Sequence, residues 1–371
     1  MSIECHRAPP TAAPAPAAGA ALKVGLLQPA DRARWDAFVM ACPQATFFHR
    51  AGWQEVIENA FGHRTWFLYA ESDGRIVGVL PLAQVKSRLF GHSLCSLPFC
   101  VYGGPASEAP PAAAALDRAA QELAARLGVG HLEYRSREAG QPGQAGGPDD
   151  GARWQRRALY CTFRKTLAAT EEANLLAIPR KQRAMVRKGI AAGLHSTLDE
   201  GIAPFFDVYG HSVHRLGTPM FAPAYFHVLR RVFGDDCAIL TVRQGERPVS
   251  SVLLFYFRDE VLPYYGGGLD LARAVAGNDF LYWEVMRRAV QRGCTLFDFG
   301  RSKLGTGAYD FKNNWGFDAQ PLHYAYQLHR AQTLPEVNPL NPRYRLAIAA
   351  WRRLPLPVAN RLGPHLVRYL G

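Results

Sequence analysis

The chain has 371 residues and a mass of 41.0 kDa, which is long for one compact domain and predicts two domains of roughly 100 to 200 residues each. This length excludes a minimal binding module, and a hydrophobic fraction of 48% excludes global disorder. The formal net charge of +12 favours an anionic partner, whether nucleic acid, a phosphorylated substrate or an acidic membrane surface.

Residues 1–21 are rich in alanine and proline. Because proline interrupts the helical apolar core that a signal peptide needs, we predict a disordered leader. The seven cysteines are odd in number and include no Cys-x-x-Cys pair, so neither a zinc site nor a disulfide framework is indicated. This usage is typical of buried thiols in a reducing cytosol, and we expect a cytoplasmic protein without a bound metal.

The first half predicts a helix, an antiparallel strand pair, a glycine turn, a second helix and a further strand. The hairpin signal is Asp73-Gly74, and the second helix ends at Gly128. The segments that carry this order are Phe47–Ala70, Val101–Gly104, a helical core stripe of Leu116, Ala120, Leu123 and Leu127, and His131–Ser136. The Gly- and Pro-rich segment Ser136–Gly151 then predicts a loop or linker.

A basic helix is predicted between the halves, over Ile178–Leu194. Arg180, Arg183 and Arg187 recur at i, i+3 and i+7 on one face, with two lysines beside them. Two interpretations remain open for this face: a solvated surface, or a binding site for phosphate groups.

The second half repeats the order of the first. Its second helix ends at Gly293, and Asn278 or Asp279 is expected to cap its start. The corresponding segments are Met220–Val242, a strand pair around Gln244-Gly245, Pro263–Gly268, a stripe of Phe280, Trp283, Met286 and Val290, and Leu296–Ser302. This succession resembles the GNAT acyltransferase fold used twice, an α/β (α+β) architecture of two tandem domains.

The expected organisation follows from the duplication. It comprises a leader at 1–21, a first GNAT-like domain at 22–177, a basic connecting helix at 178–194, a second GNAT-like domain at 195–330 and a basic tail at 331–371.

The segment Leu296–Leu328 resembles the carboxy-terminal motif of the FemAB family, with a hydrophobic-Asp-Phe-Gly strand end, a Phe-Lys pair and an aromatic-Gly-Phe step. The segment Phe47–Trp53 and the basic helix resemble FemAB counterparts in the same order, so the likeness runs from about Phe47 to Leu328. Five blocks, FFHRAGW, PFCVYGG, IPRKQRAMVRKG, LPYYGGG and DFGRSKLGTGAYDFKNNWGF, resemble the branch associated with exosortase (PEP-CTERM) and exopolysaccharide gene clusters.

The resemblance implies transfer of an acyl or aminoacyl group onto an amine of a cell-envelope or exopolysaccharide precursor. No cofactor is expected to stay bound, and the donor is expected to be aminoacyl-tRNA or acyl-CoA. The chain departs from FemAB relatives that use tRNA, because it has no long heptad pair for their coiled-coil arm. The nearest match to the CoA pyrophosphate loop is Arg88–Ser93, which lacks the final small residue.

Acyl transfer to an amine needs a cation or N–H donors at the developing oxyanion and a route for the amine proton. The resemblance places the family's Phe-Lys lysine on Lys312, next to Phe311, and makes Lys312 the candidate electrophile. Asp298 ends a strand between aromatic residues. It is interpreted either as a desolvated base or as a structural partner of Arg301.

Substrate-binding candidates surround these residues in the sequence. Tyr264 and Tyr265 could donate hydrogen bonds, although core packing would also explain at least one of them. The run Gly266, Gly267 and Gly268 is interpreted as a tight turn or a close approach of backbone to ligand. A flexible basic loop with Arg301, Lys303 and Gly305–Gly307 could close over a phosphorylated precursor.

The tail from Pro339 to Gly371 combines six arginines with interleaved apolar residues and has no acid. This composition suits an interfacial segment on an anionic leaflet, hence a peripheral position at the inner membrane, or a helix packed on the second domain with its arginines reaching solvent.

Two functions from different classes follow. The first is a FemAB-like acyl- or aminoacyltransferase; the second is a non-catalytic, membrane-associated assembly factor that retains the duplicated fold. A nucleic-acid-binding module ranks third, because the basic helix fits but no DNA-binding motif does.

Overall fold

The computed structural model describes residues 22–88, 90–139, 154–334 and 342–370. The predicted leader and most of the predicted loop at 136–151 lie outside these ranges. The strands are β1 (Lys23–Leu26), β2 (Thr65–Ser72), β3 (Arg75–Ser87), β4 (Gly91–Cys95), β5 (Ala106–Ser107), β6 (His131–Ser136), β7 (Trp154–Arg157), β8 (Tyr160–Thr166), β9 (Leu194–Leu198), β10 (Cys237–Gln244), β11 (Arg247–Phe257), β12 (Glu260–Gly268), β13 (Leu296–Asp298), β14 (Ser302–Lys303), β15 (Ala319–Pro321) and β16 (His323–Leu328).

The helices alternate with these strands in both halves. They are α1 (Arg32–Ala41), α2 (Gly52–Phe61), α3 (Pro110–Leu127), α4 (Glu171–Ala177), α5 (Arg180–Ala191), α6 (Ala203–Leu216), α7 (Pro223–Phe233), α8 (Asp270–Ala274), α9 (Gly277–Gln291), α10 (Gly307–Asn314), α11 (Pro342–Arg353) and α12 (Leu356–Val367). The expected helices α3, α5 and α9 are therefore confirmed.

Two mixed sheets organise the fold, and the expected tandem α/β architecture is confirmed. The first sheet has the order β1-β2-β3-β4-β6-β16-β7, and the second has the order β14-β8-β13-β12-β11-β10-β9. In each sheet one parallel pair follows the antiparallel strands: β4 with β6, and β12 with β13. These corresponding parallel pairs relate the two halves.

The sheets exchange one strand each. Strand β8, from the first half of the chain, pairs with β13, β14 and β15 in the second sheet. Strand β16, from the second half, lies between β6 and β7 in the first sheet. An assignment by hydrogen-bonded sheet therefore differs from the ranges 22–177 and 195–330 for these two strands.

An aromatic core joins the two halves. The ring of Phe47, which precedes α2, stacks on the ring of Phe255 in β11 with centroids 4.3 Å apart. Trp53 of α2 lies 5.3 Å from Phe233 of α7. Because all four side chains are buried, the apolar surface that they remove from water holds the two halves together.

The apolar stripes of the helices and the burial of the cysteines agree with the predictions, but the predicted cap of one helix does not. The N-cap of α9 is Ala276 in a left-handed conformation, so the expected capping by Asn278 or Asp279 is wrong.

Six cysteines lie in the described residues and all are buried free thiols. Among the described residues, no helix is both long and apolar enough to cross a bilayer.

Candidate active site

A cavity of about 270 Å³ opens where the parallel strands β12 and β13 part. The two strands pair only at Glu260–Leu296 and Val261–Phe297, and the chain beyond both points lines the opening. The lining residues are Phe99, Val101, Phe221, Pro263, Tyr264, Tyr265, Phe299, Gly300, Arg301, Lys312 and Leu370. Of the predicted site residues, the structure thus brings two tyrosines and two cations together.

A β-bulge sets the position of the two tyrosines. Leu253 of β11 pairs with Tyr265 and Leu254 pairs with Pro263, so Tyr264 is the extra residue on the bulged strand. The Tyr264 hydroxyl donates to the carbonyl oxygen of Phe99 at 2.7 Å, whereas the Tyr265 hydroxyl shares a 2.9 Å hydrogen bond with the hydroxyl of Tyr225. Burial raises the pKa of both hydroxyls well above the ordinary value, so both stay protonated.

The glycine run does not form the expected tight turn. Gly266, Gly267 and Gly268 are the last residues of β12 and pair with β11. A Cβ on Gly267 would lie 2.4 Å from the Cβ of Ser212 in α6, and a Cβ on Gly268 would lie 2.5 Å from the side-chain oxygen of Asn278. The missing side chains therefore admit neighbouring protein groups, and none of the three glycines lines the cavity.

Lys312 lies half-buried on α10 and lines the cavity. Its ammonium donates to the carbonyl oxygens of Gly300 at 2.9 Å and Arg301 at 3.1 Å, and it lies 5.7 Å from the ring centroid of Phe299. Burial lowers the pKa of Lys312 to about 8, with the Asp298 carboxylate acting in the opposite direction. Two of the three N–H groups are used by backbone, which leaves one for a ligand.

The start of α10 fixes this geometry. Thr306 caps the helix by accepting from the backbone N–H of Tyr309, and its own hydroxyl donates to the carbonyl oxygen of Lys303 at 2.8 Å. Gly307 is the first helical residue. The expected loop at Gly305–Gly307 is therefore short, because a turn at Gly305 and Thr306 leads directly into α10 at Gly307.

Asp298 is fully buried and saturated with donors. Its carboxylate accepts from the Tyr102 hydroxyl at 2.8 Å, the Thr162 hydroxyl at 3.1 Å and the backbone N–H of Gly300 at 2.7 Å. Its ion-pair partner is Arg164, at 3.3 Å, and not Arg301 as one interpretation expected. Asp298 does not line the cavity and acts as a hub that fixes the end of β13.

Arg301 lines the cavity without a carboxylate partner among the described residues. Its guanidinium donates to the Tyr324 hydroxyl at 3.2 Å and lies 4.6 Å from the ring centroid of Tyr160. Aromatic faces and a neutral hydroxyl hold this cation in place but leave its charge uncompensated. A bound anion would supply the missing charge.

The remaining predicted residues lie outside the cavity lining. Phe311 is half-buried, with its ring 5.5 Å from that of Tyr282, and Lys303 lies in the short strand β14. Arg180, Arg183 and Arg187 lie on α5, which packs on α9 through Gly189 and Phe280. Arg180 and Arg187 are exposed, and none of the three arginines forms an ion pair with a described residue.

A second cleft, of about 400 Å³, lies between α1, α2 and α7. Each of its three arginines has a carboxylate within ion-pair distance: Arg32 and Arg231 share Glu55, and Arg50 pairs with Asp236. Because its charges are paired internally, this cleft offers less to an anionic substrate than the cavity at Arg301.

Several lining residues carry no sequence signal for this role. Phe221 and Leu370 come from a loop and from the chain end, and only folding brings them to Phe99 and Val101. Phe99 has a φ of 66°, a left-handed conformation that is uncommon for an aromatic residue and marks a constrained segment beside the cavity.

The nearest match to a CoA pyrophosphate loop, Arg88–Ser93, ends inside β4, where Gly91, His92 and Ser93 pair with the antiparallel strand β3. It therefore does not precede a helix N-terminus, which is what a pyrophosphate loop requires. No group of three or more His, Cys, Asp or Glu side chains is placed to hold a metal ion within the described ranges.

Comparison with known proteins supports the same fold. Residues 178–313 match the family model described as an acetyltransferase (GNAT) domain. No curated protein matches the sequence significantly. The structure is similar to that of FemX, with a TM-score of 0.65, 14% identity and coverage of 88% of this chain and 100% of that chain.

Two further structures are similar at lower scores. The C-terminal domain of a putative lysylphosphatidylglycerol synthetase from Agrobacterium fabrum has a TM-score of 0.53 at 14% identity, over 80% of this chain and 91% of that chain. A tandem GNAT protein from the clavulanic acid biosynthesis pathway has a TM-score of 0.53 at 13% identity, over 85% and 100%. Residues 178–313 are thus similar to a GNAT acetyltransferase domain, and the chain has a tandem GNAT-like fold similar to that of FemX.

Proposed function

We propose that this protein is an N-acyltransferase that moves an acyl or aminoacyl group from an activated donor onto the amine of an anionic cell-envelope or exopolysaccharide precursor. The observation that carries the proposal is the cavity between the parted ends of β12 and β13, which presents the cations of Lys312 and Arg301 beside two neutral tyrosines.

The reaction begins when the neutral acceptor amine attacks the ester or thioester carbonyl of the donor. A tetrahedral oxyanion forms, and the free N–H of the Lys312 ammonium is available to donate to it. Because the site is partly dry, such a donor is worth several kcal/mol of barrier, on the order of 10²- to 10³-fold in rate. The hydrogen bonds to Gly300 and Arg301 hold the ammonium in place before the substrate arrives.

The intermediate then collapses. An amide bond forms, the bond to the donor oxygen or sulfur breaks, and the amine proton leaves with that atom. No carboxylate or imidazole is among the cavity-lining residues, so we assign no protein side chain as the base and route this proton to the leaving group. Asp298 contributes by fixing the turn at Gly300, and is a positioning residue in this scheme.

Arg301 is assigned to the anionic part of the substrate. A guanidinium binds phosphate or carboxylate through parallel N–H donors, and this one has no carboxylate partner among the described side chains to compete with a ligand. The exposed basic face of α5 supports a polyanionic donor, either aminoacyl-tRNA or acyl-CoA. The resemblance of five sequence blocks to the exosortase-associated FemAB branch supports the choice of precursor.

The test supplies the purified protein with radiolabelled aminoacyl-tRNA pools and with radiolabelled acetyl-CoA, each with an extract of envelope precursors. We expect label to move into an amide product from one of the donors. Label that stays with both donors, with a protein shown to be folded, would contradict the proposal.

One observation favours a non-catalytic assembly factor as the second candidate. The Lys312 ammonium donates two hydrogen bonds to backbone carbonyl oxygens, and the Asp298 carboxylate accepts its hydrogen bonds from protein groups. Both are expected of residues that only stabilise a loop. Under that candidate, the Lys312→Met variant would lose stability while the wild type would transfer nothing.

A further inference from the structure

We propose that the carboxy-terminal helix pair α11–α12 is a docking surface for an anionic lipid bilayer. The surface consists of Leu346 and Arg353 on α11 together with Val358, Arg361 and Leu362 on α12, and we call it the docking face. All five residues are exposed. This inference does not depend on the proposed chemistry, because it concerns where the protein binds and not what it catalyses.

The inner side of the pair is already used for packing. Ala359, Gly363 and Val367 of α12 are buried, and a Cβ on Gly363 would lie 2.8 Å from the backbone of Met220. On α11, Ile348 lies against Gly217, and Arg352 donates to the carbonyl oxygen of Leu216 at 3.1 Å. The helices are therefore held on α6, and the expectation that the tail packs on the second half is confirmed for this side.

On each helix, the exposed residues of the docking face are spaced so that they share one side of that helix. Val358, Arg361 and Leu362 follow at i, i+3 and i+4, while Leu346 and Arg353 are seven residues apart, two helical turns. Leu346 is 83% exposed, and Leu362 and Val358 are 45% and 42% exposed. Three large aliphatic side chains in water on one short helix pair indicate a surface that is covered by a partner.

The charge of the segment selects the partner. Residues 342–370 contain no Asp or Glu, and Arg353 and Arg361 form no ion pair with described residues. A folded protein partner would have to bring its own carboxylates to these arginines, whereas an anionic bilayer offers both an apolar interior for the aliphatic side chains and phosphate charge for the guanidinium groups. Alternating apolar and basic residues on an interfacial helix match that environment.

The helix pair ends at the cavity. After α12, the Arg368 carbonyl oxygen lies 2.6 Å from the Nε2 atom of His63, the Arg368 guanidinium donates to the Phe61 carbonyl oxygen, and Leu370 lines the cavity. A bilayer bound at the docking face would therefore contact a helix pair whose last residues border the cavity mouth.

Sedimentation with lipid vesicles tests the proposal on the full chain. We expect binding to vesicles of phosphatidylglycerol and phosphatidylcholine, weakening as salt rises, and little binding to phosphatidylcholine alone. The double variants Arg353→Glu with Arg361→Glu, and Leu346→Ser with Leu362→Ser, are each expected to lose about tenfold or more in binding.

Matched controls carry the same chemical changes elsewhere. Arg118→Glu with Arg126→Glu reverses two exposed charges on α3, and Leu176→Ser with Leu198→Ser removes two exposed leucines. Both controls should bind as the wild type does, and circular dichroism should show all variants folded. Binding lost equally in the α3 control would mean that net charge alone drives association, and would overturn the proposal.

Two other outcomes would also overturn it. If the wild-type protein does not bind anionic vesicles, it has no such docking face. A dimer in light scattering that becomes a monomer in Leu346→Ser with Leu362→Ser, without a change in vesicle binding, would show that a second copy of this chain covers the face.

Discussion

Arg135 of β6 and Arg301, which follows β13, lie beside the same aromatic ring, and Arg135 alone of the two is neutralised by a carboxylate of the described chain, that of Glu133 at 2.9 Å. Both guanidinium groups approach the same ring, with carbons 5.8 and 5.9 Å from the centroid of Tyr324. Arg135 also donates to the carbonyl oxygen of Cys100 at 2.9 Å. Of the two guanidinium groups beside this ring, one is therefore paired with a carboxylate and the other is not.

This difference predicts opposite behaviour of two equivalent substitutions. Arg301→Gln removes an unpaired cation, so we expect little loss of stability but a rise in KM for the anionic substrate of about tenfold or more, the value of a charge-assisted hydrogen bond. Arg135→Gln leaves Glu133 buried and uncompensated, which costs about 3–5 kcal/mol. Urea unfolding of both variants, with KM for Arg301→Gln, checks the pair; a large stability loss in Arg301→Gln would show that it serves packing.

The pKa of Lys312 predicts a falling limb in the pH profile. Burial places this pKa at about 8, so the ammonium is present below that pH and is lost as pH rises through it. We expect turnover to fall about tenfold per pH unit above the limb. In Lys312→Arg the weaker residual activity should stay level there, because a guanidinium remains charged. An identical falling limb in both proteins would assign the titration to another group.

We expect the glycines of β12 to contribute to stability, because they let neighbouring residues pack closely against the strand. Gly267→Ala puts a Cβ 2.4 Å from that of Ser212, and overpacking of this kind costs about 1–3 kcal/mol. Gly307→Ala is the control, since it starts α10 with open space around it and a φ outside the left-handed region. Thermal unfolding should be several degrees lower in Gly267→Ala and unchanged or slightly higher in Gly307→Ala. Equal midpoints would mean that α6 shifts freely away from β12.

The strand exchange predicts that neither half folds alone. A fragment of residues 22–177 lacks β16, which lies between β6 and β7, and a fragment of residues 195–330 lacks β8, which joins β13 to β14. Each sheet would be interrupted inside, where unpaired backbone groups are costly. We expect rapid proteolysis and poor near-ultraviolet circular dichroism for both fragments; a cooperatively folded single fragment would contradict this.

Local sequence patterns predicted the helices and strands better than they predicted which strands pair with each other. The stripes and glycine stops of α3 and α9 and the basic residues of α5 are periodic features of short segments, so the sequence was sufficient for them. The exchange of β8 and β16 was not predictable, because strand pairing between residues more than 100 positions apart leaves no local signal.

The residues of the site follow the same pattern: local motifs predicted the cavity-lining cations, but they did not predict which residues contact Asp298 and the glycine run. The Phe-Lys and Asp-Phe-Gly steps led to Lys312 and Arg301, which both line the cavity. The partner of Asp298 was missed, since Arg164 lies on the exchanged strand. For the glycine run the sequence leaves a tight turn and a close approach of backbone to ligand open, because glycine suits both. In the structure the run is extended, and Gly267 admits Ser212.

The most direct test of the account is single-turnover acyl transfer by Lys312→Met, a substitution that keeps the unbranched side chain and removes its charge. We predict a loss of transfer rate on the order of 10²- to 10³-fold, with substrate binding nearly unchanged and partial recovery in Lys312→Arg. Unfolding measured in parallel separates this effect from the loss of the hydrogen bonds to Gly300 and Arg301. A folded Lys312→Met protein that transfers the acyl group at the wild-type rate would contradict the assignment of this cavity as the catalytic site.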